Sequence, residues 1–280
     1  MICSKEYPTD AAAGCRRLGY RLKLRSTISK NEVFSMYESS GLDPMMYEND
    51  SASLGIENEP LHLYAAKTFG WMFVGLMITF VTALAFAASG GIYLLYSMGM
   101  AAVLLLAGAE VLLVVILSAR LDSLSIGAAR GLFFLYAVLN GLTFSSVLLL
   151  YDLQTLLLTF MLASAYFGVL AAYGWLTKRD VTHLAPIFTI GLVTLAVFWL
   201  LSLFFPLGAF DRVICLIGLA VFMGLTAYDV QKLKHWHTQY AYDYEMSKKA
   251  SIFAALQLYL DFLNIFLYIL RLLGRGSRND

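Results

Sequence analysis

Asp229, in the segment LTAYDVQKLK, and Asp261, in LQLYLDFLNIF, are acids standing in apolar surroundings. A carboxylate in hydrocarbon is costly unless it faces a partner or a water-filled cavity. Two carboxyl groups that share a site cannot easily both ionise, so one holds its proton more tightly. The protons then belong to the pair and not to either residue. Such a pair can switch near physiological pH. Shared-proton bonding would pull the two helices together, and deprotonation would add repulsion and open a path for a cation. The plainer alternative is that each Asp only caps or pins helices through hydrogen bonds. The cost of placing two acids there favours function.

Gln257, Asp261 and Asn264 are spaced four and three apart and form one stripe on the last helix. A stripe this polar should face inward, so this helix is expected to be surrounded by others. Glu110 is the third acid within an apolar stretch, and Arg120 follows ten positions later. Two roles are open to Arg120: a mobile counter-ion to the aspartates, or a side chain that snorkels to the headgroups. Glu110 lies about 15 Å deeper by helix rise and would line a pathway or accept a hydrogen bond while protonated. Asn140, with Ser145 and Ser146 beyond it, lines the third helix or bonds across helices, and packing is the simpler reading for the serines. His235 and His237 have no third metal ligand near them. Trp236, Tyr240 and Tyr242 read as interfacial anchors. Cys3, Cys15 and Cys215 show no pairing or metal spacing. No Gly-rich phosphate loop, HExxH or GxSxG context occurs. No cofactor and no enzyme chemistry are expected.

The elements that carry these residues follow from composition. Hydrophobic residues make up 60% of the 280-residue chain and charged residues 14%, with mean hydropathy +0.71. Soluble domains carry about 25% charge, so this is a membrane protein. Net charge is +1, and nothing points to nucleic acid. Seven apolar spans are expected, at residues 68–89, 92–118, 131–151, 153–176, 184–205, 213–231 and 252–270. Each is long enough to cross hydrocarbon as a helix and too continuous for a barrel strand. Small residues such as Gly75, Gly141, Gly168 and Gly224 permit close helix contacts. The expected fold is an all-α integral membrane protein, a seven-helix bundle. If the loop side of the last helix begins near Ala250, Asp261 lies about 16 Å along it by helix rise, deeper than Asp229. The two meet only if the last helix enters the hydrocarbon late or tilts.

Residues 1–62 read as a mobile cytoplasmic tail without a cleaved targeting core, 63–274 as the transmembrane domain and 275–280 as a short basic tail. Arg120, Arg130, Lys178, Arg179, Lys232, Lys234, Lys248 and Lys249 fall in the even-to-odd connections, whereas the odd-to-even ones hold only Arg212. The bias places the N-terminus inside and the C-terminus outside. Arg271, Arg275 and Arg278 run against it.

GLTAYDVQKLK (224–234) resembles the hallmark of the Bax inhibitor-1, or transmembrane Bax inhibitor motif, family. AARGLFFLYAVLNGLTFSSVLLLY (128–151) is similar to its third helix, FGVLAAYGWLTKRDVTHLAPI (167–187) to the end of its fourth and the loop that follows, and ALQLYLDFLNIFLYILRLLG (255–274) to its last. The resemblance covers roughly residues 63–274. It implies six helices around a central seventh. It also implies a likeness to bacterial pH-sensitive calcium leak channels, whose paired aspartates match Asp229 and Asp261. The family's second-helix acid and arginine match Glu110 and Arg120, and the arginine would pair with the aspartates in the closed form and release them on opening. Eukaryotic relatives restrain cell death and lower calcium stores. The very short 1–2 and 3–4 connections look more like a bacterial inner-membrane member. A long charged 6–7 connection, 232–249, departs from the pattern. Asp152 is a further possible cation contact or a polar turn.

The leading expectation is a cation leak, most plausibly for calcium, gated by Asp229 and Asp261, with protons and membrane lipids as its other partners. Calcium prefers oxygen ligands, and carboxylates without a dedicated loop favour weak, transient contact over storage. A regulatory or interaction protein without transport is the alternative, resting on the charged tail and the 6–7 loop. An intramembrane aspartyl protease is a lesser one. Tyr228-Asp229 fits half of the presenilin-like pattern, but Leu258-Tyr259-Leu260 precedes Asp261 where Gly-x-Gly should.

Overall fold

Backbone groups cannot go unpaired in lipid, and the apolar segments meet that demand as long helices. The computed structural model describes residues 59–177, 179, 181–205, 208–241 and 243–274, all within the compact unit Asn58–Asp280. Expectations for residues 1–58, which include Cys3 and Cys15, and for Lys178, Asp180, Tyr242, Arg275 and Arg278 lie outside the described residues. In chain order the helices are α1 (Leu61–Ala88), a short α2 (Ile92–Met98), α3 (Met100–Ala119), α4 (Ile126–Leu150), α5 (Leu153–Leu176), α6 (Ala185–Ser202), α7 (Asp211–Gln239) and α8 (Tyr244–Gly274). Seven of them are long and apolar enough to span a membrane, and no strand occurs among the described residues.

Several boundaries differ from expectation: α4 begins at Ile126, five residues before the expected 131, and α6 ends at Ser202 instead of 205. Helix α1 begins at Leu61, so Leu61 and His62 belong to the bundle and not to the tail. The second span is two helices, because Gly99 sits at φ +55 between α2 and α3, a left-handed conformation that glycine adopts without steric cost. The expected 6–7 loop, 232–249, is mostly helix: α7 runs to Gln239 and α8 starts at Tyr244. Polar composition there marks where lipid ends, not where the helix ends. A helix of 31 residues is about 46 Å long, against about 30 Å of hydrocarbon. About 16 Å of α8 exceeds that thickness, and its charged first turns, with Glu245, Lys248 and Lys249, are the part suited to water, which fits the late entry that the depth of Asp261 called for.

Helix α8 is the central element. In its most apolar window 61% of residues are buried, against 6% for α6. Asp261, Phe262 and Leu263 are consecutive and all buried, so burial runs around its axis, and it packs against α1, α4, α5 and α7. Tyr64, Thr68, Met72, Gly75, Thr79 and Ala83 form a single buried face of α1, spaced at the helical period. Hydroxyl groups join these helices where lipid supplies no hydrophobic drive. Thr68 Oγ1 lies 2.8 Å from Ser251 Oγ, and Thr79 Oγ1 lies 2.7 Å from Tyr259 Oη. The outward faces carry exposed Phe73, Leu105 and Ile190, as a lipid-facing surface requires.

Outside the spans, Glu59 ties three helices together. Lys248 Nζ of α8 donates to its carboxylate at 2.8 Å, Lys67 of α1 pairs with the other oxygen, and His237 Nε2 of α7 bonds its carbonyl oxygen at 2.6 Å. Burial works against the charge of Glu59, but hydrogen bonds and attraction from Lys248 and Lys67 outweigh it and hold the carboxyl below its ordinary range. A depressed folded-state pKa contributes stability above the unfolded value and loses it as pH falls through the folded one. Glu59→Gln is therefore expected to cost up to about 1 kcal/mol at neutral pH. In thermal unfolding in detergent, the difference from wild type should close below about pH 4.

Helices α5 and α7 touch at Gly174, where an added Cβ would lie 2.7 Å from Ala227 O and 3.0 Å from Ala227 Cα. Gly174→Leu should force these backbones apart and lower stability by about 1–3 kcal/mol. Gly168→Leu on the same helix, where nothing lies within 4 Å, should leave the melting temperature unchanged.

Candidate functional site

Asp229 lies on the inward face of α7 with Thr226, Val230 and Leu233, all buried. Asp261 lies on α8 with Leu258, Phe262 and Ile265. The helical period that buries those neighbours also aims the two carboxyl groups at the α7–α8 seam. Asp229 is 7% exposed and Asp261 3%. The side chains meet within hydrogen-bonding reach of each other, and Thr226 stands beside Asp261. The Thr226 hydroxyl also donates to Phe222 O at 2.8 Å. Asp229 Oδ1 and Asp261 Oδ2 are buried and take no hydrogen bond from the described residues. An ionised carboxylate only accepts, so contact between two of them becomes a hydrogen bond only when one proton lies between them.

The pair forms part of the wall of a cavity of about 330 Å³ between α6, α7 and α8. Gln257 and Asn264 line it one turn to either side of Asp261, so the polar stripe read from sequence does face one space. Asn264 Nδ2 donates back to Leu260 O at 2.8 Å. Helix α6 contributes Phe188 and Thr189, and α7 contributes Tyr228 and Lys232.

Lys232 lines the cavity together with the pair, and Arg120 is not part of that lining. Arg120 is exposed at the C-cap of α3, and α3 packs chiefly on α4. Lys232 stands one turn beyond Asp229 and attracts it electrostatically. Its Nζ lies 4.7 Å from the Trp236 ring centroid, 5.6 Å from Tyr228 and 6.0 Å from Phe253. Sequence reading placed Lys232 in a loop as an orientation charge and Trp236 at the interface. The i+3 and i+7 spacing from Asp229 carried the missing signal, had α7 been extended past residue 231.

The other polar candidates lie elsewhere. Thr143 Oγ1 donates to Glu110 Oε1 at 2.8 Å across α3 and α4. Asn140 is 6% exposed, leaves Nδ2 without a partner among the described residues and lies beside Tyr136. Tyr136 in turn stacks edge-on with Tyr259, 5.9 Å between centroids. Glu110 and Asn140 thus belong to a second polar group, distinct from the lining of the aspartate cavity. Asp152 caps α5, accepting from Thr155 N at 2.9 Å. His237 bonds Glu59 O and packs on Tyr64 at 5.2 Å.

The family model described as "Inhibitor of apoptosis-promoting Bax1" matches residues 61–279. The Inner membrane protein YbhL of Escherichia coli K12 is 37% identical over 215 residues, covering 76% of this chain and 92% of the relative. A protein of Borreliella burgdorferi is 34% identical over 220 residues, covering 78% and 93%. Protein RP147 of Rickettsia prowazekii is 34% identical over 224 residues, covering 80% and 93%.

An amide carries its own donor, so it can replace a shared proton. Asp229→Asn and Asp261→Asn should each fold, with melting temperatures within a few degrees of wild type. Asp261→Leu, which leaves Asp229 buried and alone, should lose about 3 kcal/mol or more. Equal losses in all three variants by thermal unfolding would show that the contact between these side chains is not what holds the seam.

Proposed function

This chain belongs to the Bax inhibitor-1 family, and from that premise we propose that it is a pH-sensitive leak pathway for calcium, gated by Asp229 and Asp261. The observation that carries this reading is the contact of two buried carboxyl groups, from adjacent helices, in the wall of one cavity. With one proton between them the pair draws α7 and α8 together. With none, two like charges face each other in a medium of low dielectric, where repulsion is far stronger than in water. The seam then loses its bond and gains a repulsion, and the cavity acquires two oxygen ligands of the kind calcium prefers.

Transport needs no nucleophile, and an aspartyl protease would need both acids at a water-accessible peptide site. Their near-complete burial favours a gate over a protease. The name of the Escherichia coli relative supports an inner-membrane location, and the lysine and arginine bias of the connections supports a cytoplasmic N-terminus.

Liposomes holding a calcium-sensitive dye and the full chain supply the test. Initial calcium entry should rise as the pH is raised from about 6 to about 8. The pH dependence should flatten in Asp229→Asn and in Asp261→Asn. Entry that ignores pH in the wild type, or keeps the wild-type profile in both variants, would remove this gate.

A further inference from the structure

We propose that Lys232 is the resident cation of the aspartate cavity, a tethered charge that sets how readily a divalent cation reaches Asp229 and Asp261. The proposal rests on the reading of that pair as the gate, and it assigns the control of ion entry to a residue on α7 itself.

Placement carries the argument. Lys232 lines the same cavity as both aspartates and is half-buried. A lysine near a helix end ordinarily extends its ammonium towards water. This one is drawn in among three rings. Tyr228 and Trp236 stand one turn before and one turn after it on α7, and Phe253 reaches it from α8. Trp236 and Phe253 also pack on each other at 5.7 Å, so the ring cluster is braced across the two helices that the gate joins. Ring faces attract an ammonium but do not neutralise it. Asp229 lies within its field without forming a direct ion pair. The charge of Lys232 therefore remains effective in the cavity, where it offsets the carboxylates and repels an incoming cation.

Charge arithmetic gives the sign and the selectivity. The repulsion felt by an ion scales with its valence, so the factor lost for a divalent ion is the square of that for a monovalent one. Removing the charge should raise calcium entry about tenfold and potassium entry about threefold.

The full chain in liposomes reads this directly, with Lys232→Met, which keeps the length and loses the charge, and Lys232→Arg, which keeps the charge. Both ions are followed at one fixed pH. Calcium binding to the detergent-purified protein is measured alongside by titration. Expected are the two rate increases in Lys232→Met, rates within about twofold of wild type in Lys232→Arg, and calcium affinity raised about tenfold in Lys232→Met alone. Unchanged rates and affinity in Lys232→Met, with Asp229→Asn still altering calcium entry, would leave the gate standing and overturn the role of Lys232. If the wild type passes no calcium, the gate itself fails, and the affinity arm still decides on Lys232: tighter binding in Lys232→Met supports it and equal binding overturns it. Lys232→Gln replaces Lys232→Met should the latter not fold.

Discussion

A carboxyl group in the interior of a membrane bundle must be answered by something, and here two carboxyl groups answer each other. Their contact fixes much of the architecture. It requires α7 and α8 to be neighbours at the depth of Asp229 and Asp261, and it requires that seam to be shielded from lipid. The shielding follows from the central position of α8, which has α1, α4, α5 and α7 packed around it. A seventh helix on the rim would expose the Gln257, Asp261 and Asn264 stripe to hydrocarbon, at a cost of several kcal/mol for the acid alone. Centrality and the polar stripe are therefore one fact seen from two sides.

The same seam is held beyond the membrane. Lys248 of α8 and His237 of α7 both bond Glu59, ahead of α1, and the helices are joined by only the short segment 240–243. Further in, Lys234 of α7 donates to Gly174 O and Trp175 O at the end of α5, at 3.2 and 2.9 Å. The bonded ends leave the aspartate level as the place where α7 and α8 rest on a contact that depends on a proton.

Legibility from sequence followed what each signal physically reports. Hydropathy reports lipid, so all seven spans and the two acids were legible, and 153–176 was read to the residue as Leu153–Leu176. The same signal misread the polar stretch after residue 231 as a loop, because helix continues wherever the backbone permits it and polar side chains meet water. Gly99 stands inside the apolar run expected as the second span, and only its positive φ makes it a break. Lys232 was hidden for two reasons at once. It fell beyond the assumed helix end, and part of its aromatic setting, Phe253, comes from another helix. The resemblance pointed to Arg120 as the counter-ion of a closed form; here Arg120 is exposed at the C-cap of α3, which packs chiefly on α4.

Tyr259 and Asp261 stand two residues apart on α8 and so project from nearly opposite sides of it. Tyr259 bonds Thr79 of α1 and meets Phe133 and Tyr136 of α4 edge-on, each at 5.9 Å. Phe262 packs on Phe160 and Phe167 of α5. Helix α8 is thus fixed on the sides away from the cavity, and a rotation that withdrew Asp261 would break those contacts together. The cavity's remaining wall is different. Helix α6 is the least buried span and packs chiefly on α7, with Phe188 seated where a Cβ on Gly224 would fall within 2.2 Å of its ring. Widening the cavity costs least where the fewest buried side chains part, and the distribution of packing puts that place at α6 and the adjoining face of α7, with α8 as the fixed reference.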